Sequence, residues 1–191
     1  LTLSAVLVAA LMGIGLGVAA GLNSAVARNL VSLSLSMPIY WTGTLVIYTA
    51  SSFALNGATA NSLMPIFVLG FHAAGAIARV LEGQVRETLH QDYVRTARAK
   101  GLHERAVIGG HVLRVALVPV VSVIALQAGF LFTGTVITES LFARPGIGRL
   151  LVERTLAQDY PVVQGIVILS AAVYTLVNGV ADMTQHLLDP R

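Results

Sequence analysis

Five long apolar runs alternate with shorter polar stretches along the chain, at 2–23, 33–55, 63–80, 115–138 and 161–183. Each approaches the ~20 residues that a helix needs to cross a bilayer core, and none holds Lys or Arg away from its margins. Unpaired backbone groups are too costly in hydrocarbon, so each run is predicted to be helical. The third run is the shortest. Between the third and fourth, over 79–114, the pattern changes. Val85, Leu89, Tyr93 and Ala97 recur four apart, an apolar stripe on a helix, while Arg86, Asp92, Arg95 and Arg98 fall largely off it. Gly101 interrupts this helix, as a residue able to take positive φ and end one. Val107, Ile108, Val112 and Val115 then mark a second helix running into the fourth span. The reading is a helix–Gly–helix hairpin between two membrane spans.

Composition strengthens this picture. Only 11% of the 191 residues are charged and 55% are apolar, against about a quarter charged in soluble domains. Too few polar residues remain to cover a soluble core. The predicted class is therefore all-α, a polytopic membrane helix bundle forming one domain over 1–191, with a polar loop at 82–114 and a second at 139–160. Cysteine is absent, which excludes disulfide and thiolate chemistry within these residues. The chain opens at Leu1 inside an apolar run, without the basic leading region of a signal peptide. A fragment lacking an N-terminal portion is the expectation.

Charge placement orients the bundle. Seven of the twelve Lys and Arg residues lie within 79–114. With Leu1 outside, Arg28, those seven and Arg191 face the cytoplasm, and only Arg144, Arg149 and Arg154 remain outside, offset by Glu139, Glu153 and Asp159. The reverse topology would place nine basic residues outside, against the positive-inside rule. A cytoplasmic C-terminus follows.

Several chemistries fail on spacing. No Gly-x-x-x-x-Gly-Lys-Ser/Thr loop occurs, so ATP chemistry is assigned to another subunit. Gly13, Gly15 and Gly17 miss the dinucleotide fingerprint, because its third glycine would fall on Val18. His103-Glu104 begins a zinc-protease motif whose second histidine position is Val107. No Gly-x-Ser-x-Gly elbow occurs. An enzyme reading has little support, and no metal site is assigned.

Other features keep two readings each. Gly13, Gly17 and Gly21 lie four apart on one face of the first span, spacing that lets helices approach closely, although membrane helices also simply use more glycine. His72 and Gln127, within the third and fourth spans, are candidates for lining a pathway, or else for interhelical hydrogen bonds. Asn178 in the fifth span keeps the same two readings, and Asp182, already near the cytoplasmic interface, stands lower. One histidine is not a nickel ligand set. The external stretch 139–160, with Pro145, Gly146 and Gly148, reads as a folded loop near the outer mouth that packs on the spans. For the basic loop, charge alone favours a topology signal meeting anionic lipid. Interleaved Glu82, Glu87, Asp92 and Glu104 weaken nucleic-acid binding, and docking of a cytoplasmic protein is the third reading.

The detailed sequence shifts that balance. Asp92-Tyr-Val-Arg-Thr-Ala-Arg-Ala-Lys-Gly-Leu102, His111-Val-Leu-Arg114 and Leu117-Val-Pro119 resemble the cytoplasmic loop of bacterial ABC-importer permeases. The resemblance is to the dipeptide/oligopeptide/nickel branch, the first of its two permease subunits. Ser36-Met-Pro-Ile-Tyr-Trp41, Glu139-Ser-Leu-Phe-Ala-Arg-Pro-Gly-Ile-Gly148, Asp159-Tyr-Pro-Val-Val-Gln-Gly165 and Leu188-Asp-Pro190 also match that branch, in order. In the wider family this loop carries a Glu-Ala-Ala…Gly pattern and docks on an ATPase subunit. Aligned on Gly101, Ala97 keeps its position, while Arg95, Thr96 and Arg114 replace the family's Glu, Ala and late Pro.

The resemblance implies docking roles for Ala97, Arg98, Lys100, Gly101, Leu102 and Glu104, and for the 139–160 loop a role in gating the pathway or meeting the substrate-delivery protein. It implies a second permease subunit, two ATPase subunits carrying ATP and Mg, an extracytoplasmic solute-binding protein and a bacterial or archaeal cytoplasmic membrane, with no cofactor in this chain. Short peptides are the expected cargo. Nickel, glutathione or another small solute is the rival within transport, and a lipid-associated scaffold is the rival outside it.

Overall fold

A computed structural model describes residues 1–53, 58–133 and 136–188, and every regular element among them is helical. α1 (Thr2–Gly21) ends at Asn23, which takes φ +78, and Ser24 then caps α2 (Ala25–Ser36) by accepting the Ala27 N–H at 3.3 Å. Asn tolerates that left-handed position better than most side chains, and a serine cap satisfies a helix N–H that has no internal partner. α3 (Ile39–Ser52) and the long α4 (Ala58–Leu89) follow. α5 (Asp92–Ala99) and α6 (Glu104–Val107) form a hairpin. A π-helical turn (Ile108–Val112) and α7 (Leu113–Ala116) lead into α8 (Val118–Thr133). α9 (Val136–Leu141), α10 (Ile147–Leu156) and α11 (Tyr160–Leu188) complete the described chain.

The centre of the bundle is α1 against α4. A β-carbon at Gly13 would stand 2.7 Å from Ile77, one at Gly17 2.8 Å from Leu81, and one at Gly21 2.6 Å from Val85. The paired numbers rise together, so the two helices run parallel. Ala5, Ala9, Leu69, Ile77, Leu81 and Val85 are buried along this seam. Without side chains on the glycine face the backbones close up, which is how helices gain packing contacts in lipid, where apolar burial alone offers little. α8 joins this core, and α11 runs antiparallel to α8: Tyr174 packs on Gly129, and Gln185 Nε2 donates to the Val118 carbonyl at 3.2 Å. The outer faces of α11 expose Ile168, Leu176, Val180 and Met183.

Three helical segments are long and apolar enough to cross a membrane singly: Thr2–Gly21, Ser62–Leu89 and Tyr160–Gln185. Two bent pairs bring the total among the described residues to five, if each is one span. The expected spans are corrected in detail. The run read as 33–55 starts at Ala25 and is broken at Met37–Pro38, where α2 and α3 meet at 108°. Met37 and Pro38 are both extended, as the steric clash before a proline ring favours. Residues 54 and 55 of that run lie outside the described residues. The run read as 63–80 extends to Leu89, through the first part of the polar loop. The fourth span bends by 54° near Leu117, just before Pro119, which lacks the N–H for the preceding turn. Residues 134 and 135, near its far end, are also outside the described residues.

Candidate functional site

The hairpin is built by a helix stop of known geometry. Gly101 takes φ +77; its N–H donates to the Arg98 carbonyl at 2.9 Å and the Leu102 N–H to Ala97 at 3.3 Å. This paired reversal is a Schellman motif, and it closes α5 with its last carbonyls satisfied. His103, extended, then starts α6 by accepting the N–H groups of Ala106 and Val107. Across the turn the Arg98 guanidinium grips Glu104 through two hydrogen bonds, Nη2 at 2.6 Å and Nε at 3.2 Å. These bonds hold the Glu104 carboxyl below its usual pKa and push the Arg98 guanidinium up. Both groups are exposed at the surface, so the pair adds orientation more than stability.

The underside of the hairpin is apolar and continuous with the bundle. Val94, Ala97, Val107 and Val112 are buried in the same cluster as Leu81 and Val85 of α4 and Ala5 and Ala9 of α1. The expected four-residue stripe is therefore corrected. α4 stops at Leu89, the turn at His90 and Gln91 resets the helical phase, and α5 buries Val94 while Tyr93 faces outward, 43% exposed. Val115 is likewise exposed and Ala116 buried. Of the residues expected to dock, Arg98, Lys100, Gly101, Leu102 and Glu104 lie on the open surface, whereas Ala97 points inward and holds α5 down. Tyr93, Arg95 and Arg105 are exposed as well, and the four-residue spacing had set Tyr93 on the apolar stripe instead.

Behind the hairpin, an open cleft of about 370 Å³ is bordered by Asn23, Arg86, Leu89, His90, Arg98 and Glu104. Glu82, on α4 beside it, is buried and stands 2.8 Å from Arg86 and 3.9 Å from Arg79. A buried carboxylate between two guanidiniums on one helix keeps its charge compensated, and its i, i+3 and i, i+4 spacing was readable in the sequence.

The candidates within the spans separate. His72 on α4 has its Nε2 2.6 Å from Thr42 Oγ1 of α3. It ties α3 to α4, and Gly75 on the next turn of α4 packs against Ser34 and Leu35 of α2. Gln127 is partly buried on α8, away from that joint. Asn178 donates to the Tyr174 carbonyl within its own helix, and Asp182 is exposed.

At the other end of the bundle, the 139–160 stretch folds around one carboxylate. Glu139 on α9 is buried, and its Oε2 accepts the Arg149 N–H at 2.8 Å, in the first turn of α10. A β-carbon at Gly146 would overlap that carboxylate, and one at Gly148 would stand 2.7 Å from Val136. Arg144, from the same loop, donates to Ser62 Oγ at the start of the described α4 side chains, at 2.5 Å. The Glu139…Gly146-x-Gly148 spacing is thus a helix cap supplied from a neighbouring element.

Comparison with known proteins accords with these features. Residues 9–191 match the family model described as binding-protein-dependent transport system inner membrane component. The dipeptide transport system permease protein DppB of Escherichia coli K12 is 45% identical over 70% of this chain and 40% of its own length. A di/tripeptide transport system permease protein of Pseudomonas aeruginosa is 36% identical, over 100% of this chain and 68% of its own. A glutathione transport system permease protein of Pectobacterium atrosepticum is 37% identical over 91% of this chain and 62% of its own. This chain therefore spans less than half of the first relative. The crystal structure of an amino acid ABC transporter with histidines shares the fold, with a TM-score of 0.68 at 14% identity over 97% of this chain and 86% of that one. A helical hairpin fused to a membrane bundle, within a match that runs nearly end to end, identifies this chain as a member of the binding-protein-dependent transport system inner membrane components.

Proposed function

We propose that this chain is the permease subunit of an ATP-driven importer of short peptides, coupled to a cytoplasmic ATPase through the α5–α6 hairpin. One observation carries the coupling: the hairpin's buried side belongs to the same apolar core as α1 and α4, while its open side presents Tyr93, Leu102, Arg95, Lys100 and Arg105. A body docked on that open face would move the spans with the hairpin rather than bend a loop. Packed cores switch between discrete arrangements, and a ligand biases them only through differential affinity. ATP and Mg bound by two partner subunits supply that bias, with Arg98, Lys100, Gly101, Leu102 and Glu104 at the contact and Ala97 bracing it from beneath.

The remaining assignments follow the same reading. The hairpin faces the cytoplasm of a bacterial or archaeal cell and the Glu139–α10 fold faces outward, near an extracytoplasmic solute-binding protein. Antiparallel packing of α8 and α11 brings Gln185 back to the hairpin end, which supports a cytoplasmic C-terminus; Arg191 and the Leu188-Asp-Pro190 element reach beyond the described residues. A second permease subunit completes the pathway against the exposed faces of this one. Peptide cargo rests on the relatives named as dipeptide and di/tripeptide permeases. Glutathione, itself a modified tripeptide, is the second reading, on the likeness to a glutathione permease.

The test is peptide uptake and ATP hydrolysis by the full complex reconstituted in vesicles with loaded binding protein. Stimulation by di- and tripeptides is expected. Stimulation by glutathione alone would move the cargo to the second reading, and no stimulation by any solute would sink the importer.

A further inference from the structure

The break between α2 and α3 lies deep in the bundle. His72 Nε2 reaches Thr42 Oγ1 on its α3 side, and Gly75 on the following turn of α4 leaves space for Ser34 Oγ and Leu35 on its α2 side. The break is therefore level with 72–75 on α4. At 1.5 Å per residue, that is about 15 Å along α4 from Ser62 and about 10 Å from Arg79. Both distances leave the break within a hydrocarbon core about 30 Å thick.

Two helix ends meet there, and their backbone is only partly paired. Met37 N–H donates to Leu33, and the N–H groups of Trp41 and Thr42 both reach the Pro38 carbonyl. The carbonyls of Leu35 and Ser36 and the N–H groups of Ile39 and Tyr40, at the ends where a helix supplies no partner, make no backbone bond among the described residues. Ser36, Pro38, Tyr40 and Trp41 are exposed at the same place. Lipid offers such groups nothing, and irregular backbone at this depth persists only against protein or water.

We infer that the Ser36–Tyr40 break lines the aqueous translocation path and meets the main chain of a peptide as it passes, an inference that rests on the peptide-import reading. A peptide's own N–H and carbonyl groups are the natural complement of unpaired backbone, and pairing with them is indifferent to side-chain identity. Tyr40 and Trp41 offer broad apolar faces with polar edges, suited to side chains of many sizes. His72 is a positioning residue: it holds the first turn of α3 against α4 and contacts no cargo.

Residues 1–191 contain no cysteine, which suits a single-thiol experiment in the complete transporter, cleared of other thiols and reconstituted in vesicles. Ser36→Cys and Tyr40→Cys are treated with a membrane-impermeant thiol reagent, alongside Ile168→Cys on the exposed apolar face of α11. The two break positions are expected to react at least about tenfold faster than the α11 position, because only an aqueous path admits the reagent. A saturating dipeptide or tripeptide is expected to slow both. Failure of both break positions to react in an assembled complex overturns the inference, the break then being covered by protein such as the second subunit. Reaction that peptide leaves unchanged, in vesicles that import that peptide, overturns the main-chain contact. Absence of peptide import by the thiol-free parent is a failure of the import reading instead, and thiol access still decides whether the break is aqueous.

Discussion

Gly101 and Gly146 stand at turn-to-helix junctions at opposite ends of the bundle, and each is required for the opposite reason. Gly101 takes φ +77 in open space, with nothing within 4 Å of where a β-carbon would sit. Gly146 has an ordinary extended backbone, φ −158, but a β-carbon there would overlap the Glu139 carboxylate. The hairpin end is held by backbone conformation and an exposed ion pair; the far end is held by a buried cap. The same residue type therefore reports local geometry in one place and tertiary crowding in the other. A surface built on local geometry can be rebuilt conservatively, whereas one built on a buried carboxylate cannot.

The largest effect should follow Gly146→Val, which forces the buried carboxylate off the α10 N-terminus. Overpacking of this kind costs typically 1–3 kcal/mol, and loss of the cap adds to it. A clear fall in the melting temperature of the purified complex is expected, with even Gly146→Ala poorly tolerated. Near-native stability of both would break the comparison. Next comes Glu139→Ala, which leaves the Arg149 N–H without its acceptor at a cost of about 1–3 kcal/mol; Glu139→Gln, which retains an acceptor, should lose less by the same measurement.

At the hairpin, Gly101→Val should cost about 1–2 kcal/mol of local strain and show itself in function rather than melting. Peptide uptake and its coupling to ATP hydrolysis should fall, while isolated ATPase subunits keep their basal rate. Gly101→Asn is the sharpening control, because asparagine enters the left-handed region readily and nothing crowds its side chain. Uptake retained by Asn and lost by Val assigns the requirement to φ; uptake lost equally by both would point to crowding from a docked partner.

The smallest effect belongs to Arg98→Ala. At neutral pH the melting temperature should barely change, since both members of the pair are exposed. Arg98 holds the Glu104 carboxyl below its ordinary range, so its contribution is present above that range and lost as pH falls through the lowered native value. The parent and the variant should differ least in acid below that value. A pH titration of Glu104 by NMR in labelled complex should find its pKa higher in the variant, and an unchanged pKa would remove the pair from the description of the hairpin.

Much of the hairpin was legible in the sequence. Gly101 stops a helix whose last carbonyls its own neighbours can reach, so residues within five positions decide the outcome. The spans were legible too, because a solvent without hydrogen bonds forces apolar runs into helices. The outward turn of Tyr93 was not, since two residues at His90 and Gln91 shift the phase of everything after them. The stripe had set Ala97 on the apolar face, where it is buried in the same core as Val85 and Val107; its docking role came from the resemblance alone.

What the sequence by itself determined was therefore the solvent, the helical class and the local stop at Gly101. The tertiary structure alone decided that α1 and α4 run parallel, that Glu139 caps a helix begun six residues after its own element ends, and that His72 pins α3 to α4 just past the 108° bend from α2. The physical reason is range. Hydropathy and glycine conformation act within a turn or two of chain, whereas a crowded β-carbon, a borrowed cap and a bridged break each need a partner that only folding brings near.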